Sequence, residues 1–170
     1  MKEVVTVFTG EIKTSNQDAD LKSSPIGSCV VVVLFDENCS FGGMAHIMLP
    51  GKAPEKEDVI PGKYAHNAIR QLIDELTAHG MQQEKLKAVV VGGGNVLKRE
   101  NDTIGIDNLE SVSQQLTDYK IEVVARSVMG TERKSVRFDI KNRIIYCSKG
   151  DGSEKELYHV LKNSQILMDS

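Results

Sequence analysis

The chain has 170 residues, 40% of them hydrophobic, which suits one domain with its own core. Its 21 Lys+Arg against 24 Asp+Glu give a formal net charge of −3, with the basic residues scattered, so there is no electrostatic footprint for nucleic acid. No apolar run approaches the roughly 18 residues of a membrane span, which argues against direct membrane insertion. The N-terminal MKEVVTVFTGE lacks the long apolar region of a signal peptide, so a cytoplasmic enzyme domain is expected.

In chain order, Val4 to Phe8 reads as a first strand, and the polar, turn-rich residues 10 to 24 read as a surface loop before Pro25. Next comes a hairpin. Its first arm runs from Cys29 to Phe35, its second from Phe41 to Leu49, and Asp36-Glu37-Asn38 supplies turn chemistry. Centred between Glu37 and Asn38, this hairpin pairs Cys29 with His46, Val31 with Met44 and Val30 with Ala45. Directly opposed residues have Cβ atoms about 4.5–5.5 Å apart, within reach of a thiol–imidazole hydrogen bond, and a slip of one residue would send the two side chains to opposite faces.

A thiolate is a nucleophile, and a neighbouring imidazole takes its proton or steadies its anion. Gly27-Ser28 ahead of Cys29 would let backbone approach a substrate. The residues alone also fit a plainer reading, because a cysteine opening an apolar strand and a single strand histidine are commonly packed core.

Residues 51 to 61 form a polar loop bordering this hairpin, and residues 62 to 79 carry a helical stripe of Ala65, Ala68, Ile69, Leu72, Ile73 and Leu76, stopped by Gly80. His66, near that helix's start, reads as a solvated or neutral hydrogen-bonding group, since the helix dipole disfavours its charged form there. Strand 86–91 leads into Gly92-Gly93-Gly94. With neither GxGxxG nor a Walker pattern present, the glycines read as a turn that needs positive φ or close backbone approach.

Asp107 is expected to cap a second helix bearing Leu109, Val112, Leu116 and Tyr119, followed by strand 121–125. A loop over 126–134 contains Gly130 and Arg133, and strands 135–140 and 144–148 flank a turn at 141–143. The tail continues past a domain of residues 1–150 as an extension, 151–170, with Leu157, Val160 and Leu161 on one face of a helix. The three cysteines, Cys29, Cys39 and Cys147, and the four histidines lack metal-type spacing. No disulfide framework, metal or cofactor is expected.

GSCV, an apolar strand ending in Asp, and GGMAHIMLP together resemble the signature of the CheD family, the chemoreceptor glutamine deamidases of chemotaxis. PGKYA at 61–65, VVVGGG at 89–94, IGIDN at 104–108 and SVRFDI at 135–140 extend the likeness over about residues 1 to 148. The resemblance implies a single-domain α/β fold, a layered α/β/β sandwich whose mixed sheet is largely antiparallel. It implies a hydrolase that converts receptor glutamines to glutamate through a cysteine thioester, with glutamate methyl esters as further substrates.

The family triad of Cys, His and Thr falls on Cys29, His46 and Ser23, a serine replacing the threonine. Gly27, Ser28, Gly43, Lys63, Tyr64 and Arg133 are the candidates for contacting substrate. The implied partners are the cytoplasmic part of a methyl-accepting chemotaxis receptor and a CheC-type phosphatase. The alternative is a non-catalytic regulatory module that docks on either.

Overall fold

A computed structural model describes residues 2–163. Its centre is β4 (Val30–Phe35), in which every residue is buried. Val30, Val32 and Leu34 point into one core and Val31, Val33 and Phe35 into another. A strand apolar on both faces must lie in a middle layer, because each face needs a partner to exclude water.

The middle sheet has the order β2-β5-β4-β6-β7, with β2 (Ile12–Asn16), β5 (Phe41–Ile47), β6 (Lys87–Gly92) and β7 (Glu122–Val128) around β4. Only its β6–β7 pair is parallel. One face is covered by α1 (Ala65–Ala78) and α2 (Ile104–Asp118), which contribute Ile69, Leu72, Leu76, Val112 and Leu116 to the first core. The other face packs on a second sheet of order β1-β3-β8-β9-β10, formed by β1 (Glu3–Val7), β3 (Ala19–Ser23), β8 (Lys134–Asp139), β9 (Ile144–Lys149) and β10 (Lys155–His159). The fold is therefore the single-domain α/β/β sandwich that the resemblance implies.

Several elements differ from the sequence reading. The expected loop over 10–24 holds two strands. β2 is an edge strand hydrogen-bonded only to β5, so its outer positions tolerate Lys13 and Ser15. β3 buries the polar residues Asp20 and Ser23 by giving them partners: Asp20 is ion-paired with Lys2 (3.0 Å) and Arg137 (2.8 Å).

The first helix begins at Ala65 after a 3-10 turn at Pro61–Lys63, because Tyr64 is extended (φ −100°, ψ 136°). The second begins at Ile104, three residues before the expected cap, and the Ile104 N–H donates to Asp102 Oδ1 at 3.1 Å. Asp107 lies inside its first turn and accepts from the Thr103 hydroxyl at 3.0 Å. β7 runs on to Val128, which pairs with Gly92.

The tail departs most. Residues 155–159 form a strand, β10, against β9, with a register shift between Glu156 and Tyr158. That irregularity brings Leu157 and Val160 to the same core at a spacing that reads as helical in sequence. The sheet therefore crosses the expected boundary at residue 150. The expected helix is found only over 160–163, which carries Val160 and Leu161, and 164–170 lies outside the described residues.

Candidate functional site

β4 and β5 pair as Val30↔Ile47, Val31↔His46 and so on to Phe35↔Gly42. This register differs by two residues from the one expected. The reversal spans 36–40, where Cys39 takes a positive φ of 47° and its N–H donates to Asp36 Oδ1 at 3.0 Å, so the turn is longer than a minimal one. An even shift preserves parity. His46 lies opposite Val31, and the pairing ends at Val30↔Ile47, one residue after Cys29, whose extrapolated position in the same register is opposite Met48. Cys29 and His46 thus remain on the face toward the second sheet as diagonal neighbours, about 7–8 Å apart for such pairs.

His46 is fully buried, and burial lowers its pKa below the ordinary imidazole value while the Val7 carbonyl opposes that shift. Its Nδ1 lies 3.2 Å from the Val7 carbonyl, which only accepts, so Nδ1 carries the proton of the neutral ring. Nε2 is then the free base. It is buried and has no hydrogen-bond partner among the described residues. The Ser24 hydroxyl lies 3.3 Å from Nδ1, and the backbone around His46 is held by Gly10 N–H to its carbonyl (2.8 Å) and by its own N–H to Glu11 (3.0 Å).

Ser23, the expected third member of the triad, points elsewhere. Its Oγ accepts the Val136 N–H at 3.0 Å and fastens β3 to β8. Successive residues of an extended strand face opposite ways, so the structure sets the Ser24 hydroxyl, and not that of Ser23, against the imidazole.

Cys29 is partly exposed, whereas Cys39 and Cys147 are buried. Burial raises its thiol pKa, offset in part by the neighbouring Thr9 side chain and by the residue's own N–H. Cys39 is pushed up to about 12, chiefly by burial.

The turn carrying Cys29 is stitched to the glycine run. Gly93 N–H donates to the Cys29 carbonyl at 2.8 Å and Gly94 N–H to the Gly27 carbonyl at 3.0 Å. Gly92 (φ +121°) and Gly93 (φ +70°) adopt backbone conformations that other residues rarely do, and a Cβ on Gly92 would strike the Cys29 carbonyl. The glycines thus do what the sequence reading expected, forming a turn of positive φ in close approach to a neighbour. From the helix side, buried Asn108 donates to the Ser28 carbonyl (2.9 Å) and the Met48 carbonyl (3.0 Å).

Of the residues expected to contact substrate, Gly27 and Ser28 lie in the Cys29 turn. Lys63 borders Gly10, with its carbonyl accepting from both Met48 and Leu49 at 2.8 Å, and Tyr64 bridges to Leu49. Gly43 sits on the opposite face of β5, where a Cβ would meet Leu72 of α1, so its place is in packing. Arg133 is exposed before β8, its carbonyl accepting from Gly150 at 2.7 Å, and no hydrogen bond ties it to the Cys29 turn among the described residues. His66 donates its backbone N–H to Gly51 at 2.9 Å.

Sequence reasoning missed Thr9, Ser24 and Asn108. Ser24 adjoins the chosen serine, and one residue of strand phase separates them. Asn108 ends the IGIDN stretch, an amide at a core-facing helix position, which is the available signal for a buried polar group with assigned partners.

The rim of the site is apolar. Phe8, Met48, Leu97, Ile104, Ile106 and Met129 are 40% to 69% exposed. Phe8 precedes Thr9, Leu97 follows the Val96 that abuts Gly27, the two isoleucines flank a Gly105 packed on the Gly93 and Gly94 carbonyls, and Met129 N–H donates to Gly92. These side chains leave apolar surface exposed next to segments that border the Cys29 turn. No helix among the described residues is long and apolar enough to cross a membrane, and no cluster of three metal-ligating side chains occurs among them.

Residues 48–149 match the family model described as CheD chemotactic sensory transduction, a segment beginning just after His46. Over 154 residues the chain is 33% identical to the probable chemoreceptor glutamine deamidase CheD of Chlorobium luteolum, covering 91% of this chain and 77% of that protein. It is 32% identical over 155 residues to the chemoreceptor glutamine deamidase CheD of Thermotoga maritima, covering 91% and 96%. The relative of that name from Halalkalibacterium halodurans is 32% identical over 162 residues, covering 92% and 100%.

Proposed function

Because the chain belongs to the CheD family, we propose that it is a chemoreceptor glutamine deamidase with Cys29 as nucleophile and His46 as general acid and base. The observation that carries this reading is a partly exposed thiol on the same sheet face as a buried neutral imidazole, whose Nε2 is left free because Nδ1 is committed to Val7. No hydrogen bond joins thiol and imidazole in the resting site. With the imidazole pKa lowered and the thiol pKa raised, both groups rest neutral near pH 7.

In the reaction, Nε2 takes the thiol proton as sulfur attacks the side-chain amide carbon of a receptor glutamine. The imidazolium returns that proton to the departing ammonia, leaving a thioester. Nε2 then deprotonates water, the hydroxide adds to the thioester carbon, and the thiol leaves with its proton restored. The product is glutamate. A glutamate methyl ester would give the same thioester with methanol as leaving group. Ser24 serves in place of Ser23 as the hydroxyl that steadies the ring, and the cytoplasmic part of a methyl-accepting receptor is the substrate.

The apolar collar supports a protein substrate over free glutamine, whose polar backbone groups would gain nothing from it. It equally supports a second reading, docking on a receptor or a CheC-type phosphatase without turnover. Ammonia release from a purified receptor cytoplasmic fragment separates the two: Cys29→Ala should abolish release while leaving binding within a few-fold. Wild type that binds tightly and releases nothing would favour docking.

A further inference from the structure

The mechanism needs a donor for the oxygen of the tetrahedral intermediate, and the fixed groups around Cys29 identify what holds one in place. The Ser28–Cys29 peptide is trans, so its C=O and N–H point in opposite directions on one rigid plane. Anchoring the oxygen therefore aims the N–H. The anchor is Asn108, whose Nδ2 is 2.9 Å from the Ser28 oxygen and 3.0 Å from the Met48 oxygen. Both partners are carbonyls, so the amide must present its NH₂ to them.

The next peptide is pinned as well, since the Cys29 carbonyl accepts from Gly93 at 2.8 Å. Cys29 consequently lies between two immobilised planes. Asn108 has no other work that shows. It is fully buried, and its Oδ1 has no partner among the described residues, so its favourable contribution comes from the two donors. The helix turn that carries it can approach because Gly105 lacks a Cβ, which would stand 2.6 Å from the Gly93 and Gly94 oxygens.

We propose that Asn108 is a positioning residue that fixes the Ser28–Cys29 peptide plane, and with it the Cys29 N–H as the oxyanion-hole donor. Its bond to Met48, two residues beyond His46, ties that plane to the strand carrying the base, so one side chain sets both halves of the site. The inference rests on the deamidase reading for its catalytic consequence and on geometry alone for the pinned N–H.

The test uses Asn108→Ala and the nearly isosteric Asn108→Leu, which keeps the volume and has no side-chain donor. Folding is checked by circular dichroism. Removing an oxyanion donor outright costs about 10²–10³ in kcat, so a donor left loose should cost about 10–100-fold, with KM within about threefold. The rate of Cys29 alkylation by iodoacetamide, followed against pH by peptide mass mapping, should move to higher pH as the thiolate loses its fixed N–H.

A folded variant with kcat within twofold of wild type and an unmoved alkylation profile overturns the proposal. If wild type itself releases no ammonia, the deamidase reading fails. The alkylation profile then decides the positioning role alone: a shift upholds it and no shift overturns it.

Discussion

Two adjacent serines carry different duties. Ser23 completes a buried bond to the Val136 N–H, and Ser24 stands against the imidazole. Ser23→Ala is expected to lower stability by about 1–3 kcal/mol, the cost of a buried donor left unpaired, with kcat within about threefold per folded molecule. Ser24→Ala should do the reverse, with little change in denaturation midpoint and a kcat loss of about tenfold; urea melts alongside ammonia assays check both. Adjacent serines cannot be told apart in a linear sequence, since strand phase at the end of β3 depends on its pairing with β1 and β8. Cys29 and His46 stood out as candidates through the GSCV and GGMAHIMLP resemblance, since the hairpin pattern alone also fits packed core, and an error of two residues in its register left their shared face intact.

His46 also gives stability a pH dependence of defined sign. Its folded pKa lies below the unfolded value of about 6.5, so between the two the unfolded chain binds more protons and stability rises with pH. The contribution is complete above about pH 6.5 and is lost as pH falls from there toward the folded pKa. Urea midpoints measured from pH 7.5 down to 5 should fall less steeply for His46→Gln than for wild type. Equal slopes would mean that the imidazole is not buried neutral.

At the scale of elements, the site is a meeting of six segments: the turn before β4, the end of β5, the glycine run at the end of β6, the start of α2 and, from the outer sheet, the ends of β1 and β3. Glycine makes the meeting possible where backbones touch. Gly105→Ala should push α2 away from the Gly93 and Gly94 carbonyls, lowering the melting temperature and cutting kcat at least tenfold, while Gly80→Ala, with open space around its Cβ, should strain only a helix end. The helices and central strands were readable from periodicity. β2, β3 and β10 were not, because an edge strand, a strand with ion-paired Asp20 and a strand with a register shift each lack the alternation that marks a half-buried strand.

For the whole molecule, the outer sheet is bound together by charge at a distance from the site. Lys2 pairs with Asp20 and Asp139, and Arg137 joins Asp20 to Glu154 while lying 4.4 Å over the Tyr146 ring. Asp139 has its pKa lowered by hydrogen bonds from Lys2 and Asn142 acting against burial, so its share of stability is present above the ordinary carboxylate range and disappears as pH falls through the folded value. Arg137→Met should destabilise by about 1–3 kcal/mol, discounted for partial exposure, and leave activity per folded molecule unchanged. Loss of activity without loss of stability would place Arg137 in the chemistry instead. The layered architecture thus separates duties, with the inter-sheet core and the charged network supporting one end where thiol, imidazole and apolar collar meet.

The most direct test is intact-mass and ammonia analysis of a purified receptor cytoplasmic fragment incubated with wild type or with Cys29→Ala. Each glutamine converted to glutamate adds about one dalton and releases one ammonia, because an amide nitrogen is exchanged for an oxygen. The account predicts conversion by wild type and a loss of at least about 10³-fold with Cys29→Ala, whose complex with the fragment still forms. Conversion that survives the substitution would contradict the assignment of Cys29 as nucleophile.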